Sequence, residues 1–119
     1  MNTLPRWLIL PLFGVAACAG TPASPARMGS AQAAIRAARE VGAEQNPTAA
    51  LHLQYAREQF AQAEALSRDG EGERAERVLA RAEADADLAL ALSRRTTALA
   101  AASQASTQVR AVQAQSPVQ

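Results

Sequence analysis

Lysine is missing from this 119-residue chain, aromatic residues make up only 3%, and there is one cysteine and one histidine. Each shortage closes off a class of function. A lone cysteine cannot staple a fold through an internal disulfide, and with one histidine it leaves no zinc-type ligand set, so no metal or cofactor is expected. The pleated faces of a β-sandwich require more β-branched and aromatic side chains than are present. The 12 basic residues, all arginine, stand against 11 acids for a net charge of +1. No stacking aromatics interleave with those arginines, so nucleic acid is not an expected partner. The length allows one small domain.

What the chain has is alanine, 31 residues of it, the best intrinsic helix former. Its first stretch is different. Arg6 precedes an apolar run from Trp7 to Ala17 that ends in small residues. A basic start, a short apolar stretch and a small-residue exit describe an export signal. The run is too short for the roughly 20 apolar residues of a membrane span. Residues 1–17 are therefore read as a lipoprotein signal peptide. Val15-Ala16-Ala17-Cys18 resembles a bacterial lipobox, which implies cleavage between Ala17 and Cys18 and acylation of Cys18 with palmitate-type chains. Such alkylation uses the thiolate, the strongest nucleophile among the side chains here. Ala19 follows the cysteine in place of aspartate, which by resemblance to enterobacterial sorting points to an outer-membrane anchor facing the periplasm.

Residues 18–30, with Pro22, Pro25, Gly20 and Gly29, read as the lipidated cysteine and a flexible tether. Beyond it, small and apolar residues recur at alternating spacings of three and four. The pattern runs through Met28, Ala31, Ile35 and Ala38, then Ala49, Leu53, Ala56, Phe60, Ala63 and Ser67. It resumes at Ala75, Leu79, Ala82, Ala86, Ala89, Ser93, Thr96 and Ala100. Asn46-Pro47 is a helix start, and Gly42, Gly70 and Gly72 mark turns. The expectation is an all-α fold: an antiparallel, alanine-seamed helical hairpin preceded by a shorter helix, with the third helix long and projecting. Helices are expected at about 31–43, 47–69 and 72–110 within a helical domain spanning 31–110, followed by a disordered tail at 111–119. A second helix of about 33 Å, at ~1.5 Å per residue, leaves the third without a partner beyond Arg94. From Thr96 onward a projecting, fraying helix and a disordered segment fit the residues equally. Glu64–Arg68 and Glu73–Arg77 have the spacing of helical ion pairs on a solvated face.

Catalysis calls for a nucleophile or a tuned acid–base pair in a concave site. His52 stands alone on its helix, and Asp85 and Asp87 are two apart, pointing to different sides. No enzyme is expected. Leu51, Tyr55 and Leu66 lie away from the seam of the second helix, and Leu88 and Leu92 form an i, i+4 pair beside that of the third. Unless the first helix covers them, they form a surface for an envelope protein partner or for self-association. The doublet Arg94-Arg95 is a candidate contact for phosphate or peptidoglycan.

The stretches Leu53 to Ala63 (LQYAREQFAQA) and Ala75 to Ala89 (AERVLARAEADADLA), joined by a glycine-containing turn, resemble the bacterial lipoprotein family known as domain of unknown function 4398. Ala56-Arg57, Phe60 and Ala63 match its first helix; Ala75, Leu79 or Val78, Ala82, Asp85-Ala86 and Leu88-Ala89 match its second. The turn Asp69-Gly70-Glu71-Gly72 differs from the family's Gly-Asp type, and the family's common lysines are absent. Some members continue into an OmpA-like peptidoglycan-binding domain; the resemblance here covers only the helices, about residues 30–100. It implies a helical envelope lipoprotein with no assigned chemistry. The expected function is a lipid-anchored, periplasm-facing interaction or spacer module. The alternatives are a small ligand- or peptidoglycan-binding lipoprotein using surface arginines, and a structural homo-oligomer.

Overall fold

The computed structural model of the chain describes residues 20–116. The stretch read as a signal peptide, the Ala17–Cys18 junction and the last three residues lie outside them. The described residues form three helices: α1 (Pro25–Glu40), α2 (Pro47–Arg68) and α3 (Gly72–Gln115), with one 3-10 turn at Ala43–Gln45 between the first two. The fold is all-α, and α3, at 44 residues, is the long element.

Local chemistry sets the helix ends. Ser24 and Asn46 cap α1 and α2 by accepting from the Arg27 and Ala49 amides, at 3.2 and 3.0 Å, and each is followed by proline at the first helical position. Proline fits there because its missing N–H would have no helical partner. Gly70 ends α2 with φ 77°, its amide bonding to Ser67 O at 3.2 Å while Glu71 N reaches Leu66 O at 2.9 Å. That paired return closes the last turn and requires the left-handed conformation glycine adopts freely.

Small residues line the helix contacts. Ala31, Ala38, Ala49, Ala56, Ala63, Ala75, Ala82, Ala86 and Ala89 are all fully buried, and among the described residues Leu53 and Leu79 are the large side chains completely enclosed. Alanine lets two backbones approach at the short end of the usual 8–10 Å range. The buried residues form two clusters, one around Leu53 and Ile35, the other around Leu79 and Ala31, with Phe60 half-buried against both. Helix α3 packs most extensively on α2, next on α1, while α1 and α2 touch each other least. Burial along α3 stops at Ser93, one residue short of the point where α2 was expected to run out.

Three expectations need correction. The stretch to residue 30 is not a flexible tether: α1 begins at Pro25, because Ser24 and Pro25 act as a capping pair. The helix continues through Gln115, so residues 111–115 are not a disordered tail; alanine and glutamine carry it past the serines and threonines. Among the described residues, neither Glu64–Arg68 nor Glu73–Arg77 is an ion pair; acids bond across elements instead, as in Arg57–Glu44 at 2.6 Å.

Truncating Leu79 to alanine opens a cavity in the smaller cluster and should cost about 2–5 kcal/mol in urea unfolding. Gly29 lies inside α1 with nothing within 4 Å of where a Cβ would go. Gly29→Ala should therefore raise stability by about 0.5–1 kcal/mol in the same assay.

Candidate docking face and clamped hairpin end

Residues 20–24 run across the α2–α3 turn and are held there by three kinds of contact. Backbone meets backbone: a Cβ on Gly20 would sit 2.0 Å from Gly70 O, and one on Gly72 would sit 2.1 Å from Thr21 O. Only glycine permits that approach. Ala23 is buried, and its amide donates to Ser67 Oγ at 3.0 Å. The Ser24 amide donates to Glu76 Oε1 at 2.6 Å, and Arg27 bridges Glu76 and Glu83 at 3.4 and 3.3 Å. Ser30 adds a 2.6 Å bond to Glu83. The amide of Ser24, followed by its side chain and Arg27, draws the Glu76 carboxyl below its ordinary 4.5, outweighing the opposing effect of burial.

The opposite end is tied more lightly. Asn46, whose Oδ1 caps α2, turns its Nδ2 to Thr96 Oγ1 at 2.7 Å. Past that bond α3 is exposed on every side, including Leu99, Val109 and Val112 at 55–63%.

Of the seven residues read as a candidate surface, Leu51, Tyr55 and Leu88 remain 42–45% exposed, because α1 lies on the other flank of the hairpin, against Glu76 and Glu83. Leu66 and Leu92 are half-buried against the two core clusters and belong to the edges of the packing. Arg94 and Arg95 are both exposed, but consecutive helical residues diverge by about 100°, so they do not share a face. The structure thus joins Tyr55 and Leu88 on one flank and separates the arginine doublet.

His52 is not alone. Its Nδ1 lies 2.9 Å from Asp85 Oδ1, and Gln59 Nε2 donates to Asp85 Oδ2 at 2.8 Å. A carboxylate only accepts, so the proton sits on His52 Nδ1. Tyr55 meets the imidazole edge-on, with ring centroids 6.1 Å apart. Folding the chain about the 69–72 turn places residue 85 opposite 56, with 52 and 59 on either side, so this cluster was implicit in the hairpin register. The cluster locks α2 to α3. Among the described residues no group of histidine, cysteine and acids is arranged to hold a metal ion, and no helix is long and apolar enough to cross a membrane.

Two changes test the clamp on residues 20–24. Gly72→Ala should free the segment, seen as faster hydrogen exchange at the Ala23 and Ser24 amides with the helix content unchanged; full protection in the variant would refute the close approach. Because the Glu76 carboxyl is lowered, its stabilising effect is complete above about 4.5 and disappears as pH falls through the lowered value. The protection of the Ser24 amide, relative to its intrinsic exchange rate at each pH, should therefore fall on acidification below that point, and Glu76→Gln should remove the dependence.

Among curated proteins and among solved structures, none matches the chain. The pattern of one family does, over residues 26–105, a span that takes in α1, α2 and most of α3. The body of the first helix, the alanine seam and the first three-quarters of the third helix fall within that match, and the chain belongs to the family described as Domain of unknown function (DUF4398).

Proposed function

We propose that this chain is a lipid-anchored envelope lipoprotein whose helices serve as a non-catalytic interaction or spacer module on the periplasmic side of the outer membrane. The observation that carries the reading is the clamp on residues 20–24 at the end of the hairpin from which α3 departs. Cys18 precedes Gly20 by two residues, at most about 7 Å of extended chain. An acyl group on Cys18 would therefore be attached to the bundle almost directly, with little slack between lipid and protein. From the same end α3 runs for about 66 Å at ~1.5 Å per residue, and roughly its second half meets no other helix. A rigid rod fixed at one end and bare along the remainder suits holding or reaching, and a bundle packed through methyl groups offers no enclosed reaction site.

Further support comes from Val15-Ala16-Ala17-Cys18 and the apolar run before it. Two or more acyl chains give durable membrane attachment, whereas a single chain is marginal. Peptidoglycan recognition through Arg94 and Arg95 has less behind it, since the two side chains point apart. Metabolic labelling with a fatty-acid probe should tag the wild-type chain, and Cys18→Ser should abolish the label and shift the protein from the membrane to the soluble fraction. Unlabelled wild-type protein would sink the anchored reading.

A further inference from the structure

The exposed side of α3 carries a pattern distinct from its buried seam. Arg77, Arg81, Leu88, Arg95, Leu99 and Arg110 fall within about 60° of one another at ~100° per residue, along roughly 50 Å of helix. All six are exposed, Leu99 at 60%. The middle of the seam, at Leu79, Ala86 and Ser93, lies more than a quarter-turn away, and α1 attaches beyond it through Glu76 and Glu83, so neither α1 nor the core covers this stripe. Among the described residues none of its four arginines makes an ion pair. No carboxylate lies within the sector. The nearest on the α2 side, Asp85, already has both oxygens engaged by His52 and Gln59.

We infer that this stripe is a membrane-contact face: it lays α3 along an anionic phospholipid surface, its arginines on the lipid phosphates and Leu88 and Leu99 in the outer edge of the acyl layer. Three observations select that occupant. Apart from Glu73, one turn before Arg77 and not paired with it, no free acid stands beside these cations, so the face is complementary to negative charge. A second copy fits poorly, because two such stripes brought together oppose arginine to arginine. The stripe is straight and lies on a convex helix, a shape that meets a plane along its length and encloses no small ligand. Arginine forks bind phosphate through paired N–H donors, and their apolar stems lie comfortably beside leucine. Tyr55, on the same flank through its contact with His52, adds an amphipathic ring at the interface. The inference deepens the anchored-module reading and rests on it for bringing the chain to a membrane. It makes the rod lie down rather than stand.

The test uses the membrane-anchored protein, isolated from bacterial membranes and reconstituted into vesicles, with Leu99→Trp as reporter and Trp7→Phe to keep any uncleaved precursor silent. In vesicles containing phosphatidylglycerol the reporter emission should shift to the blue and be quenched by bromines on the acyl chains. In phosphatidylcholine vesicles both effects should be absent, and high salt should reverse them. Arg77→Gln, Arg81→Gln and Arg95→Gln together should weaken the surface-bound state roughly a hundredfold, about fivefold per arginine. Circular dichroism checks that the triple variant remains helical. Equal emission in the two lipids overturns the inference and leaves an acidic protein surface as the occupant. A shift retained by the triple variant overturns it too, as does one that appears without vesicles when protein concentration rises. Fatty-acid labelling of the same preparation reports separately on Cys18, so a failed anchor and a failed stripe give different results.

Discussion

Little more than methyl groups separates α2 from α3. Where Ala56, Ala63, Ala75, Ala82, Ala86 and Ala89 lose all contact with solvent, the helix surfaces meet at nearly their closest spacing, and the rest of the molecule follows from that contact. Bulkier seam residues would force the rods apart and break the short bonds between their edges. Close packing brings His52, Gln59 and Asp85 within hydrogen-bonding distance across the pair. It also limits the core to two completely enclosed large side chains, Leu53 and Leu79, so stability is distributed over many small contacts. Each such contact contributes a fraction of a kcal/mol through dispersion, and their value depends on the absence of gaps.

The polar contacts are arranged around this seam with a division of labour. The carboxylates of Glu76 and Glu83 on α3 receive α1 and the segment before it. On the other flank Asp85 faces α2. Glu44 collects Arg57 and Arg39 at the corner where the 3-10 turn leads into α2, and the Arg57 side chain lowers its carboxyl from the ordinary value. These bonds are exposed and individually weak, but they determine which helix goes on which side. One flank of the hairpin is thereby closed by α1 and the other left open, with leucines and arginines facing outward.

That asymmetry links architecture to the proposed role. The segment nearest Cys18 is clamped to the hairpin end by three glycines in close contact, so a lipid there would act on a rigid body. A helix attached at one end, bare at the other and basic along one side presents charge and apolar surface over a distance far greater than the width of the bundle.

The seam was legible because a spacing of three and four survives any tertiary arrangement: helical periodicity alone put Ala31, Ile35, Leu53, Ala63, Leu79 and Ala86 on buried faces, and two glycine turns made the helices antiparallel. The length of α2 likewise located the end of cover near Arg94. Other features depended on residues distant in the sequence. Ser24 and Pro25 read as linker by composition, yet Ser67 and Glu76, more than 40 residues away, give residues 23–24 their partners and a helix its start. His52 looked solitary because its acid is 33 positions off. The stripe of arginines went unread beside the Arg94-Arg95 doublet, because helical spacing does not say which face stays open until α1 has taken the opposite flank. The sequence by itself determined the helices, their seam and their order, since these follow from local periodicity and turn chemistry. Tertiary structure alone decided which polar groups meet and which flank stays open, because those depend on the rotation of each rod about its axis.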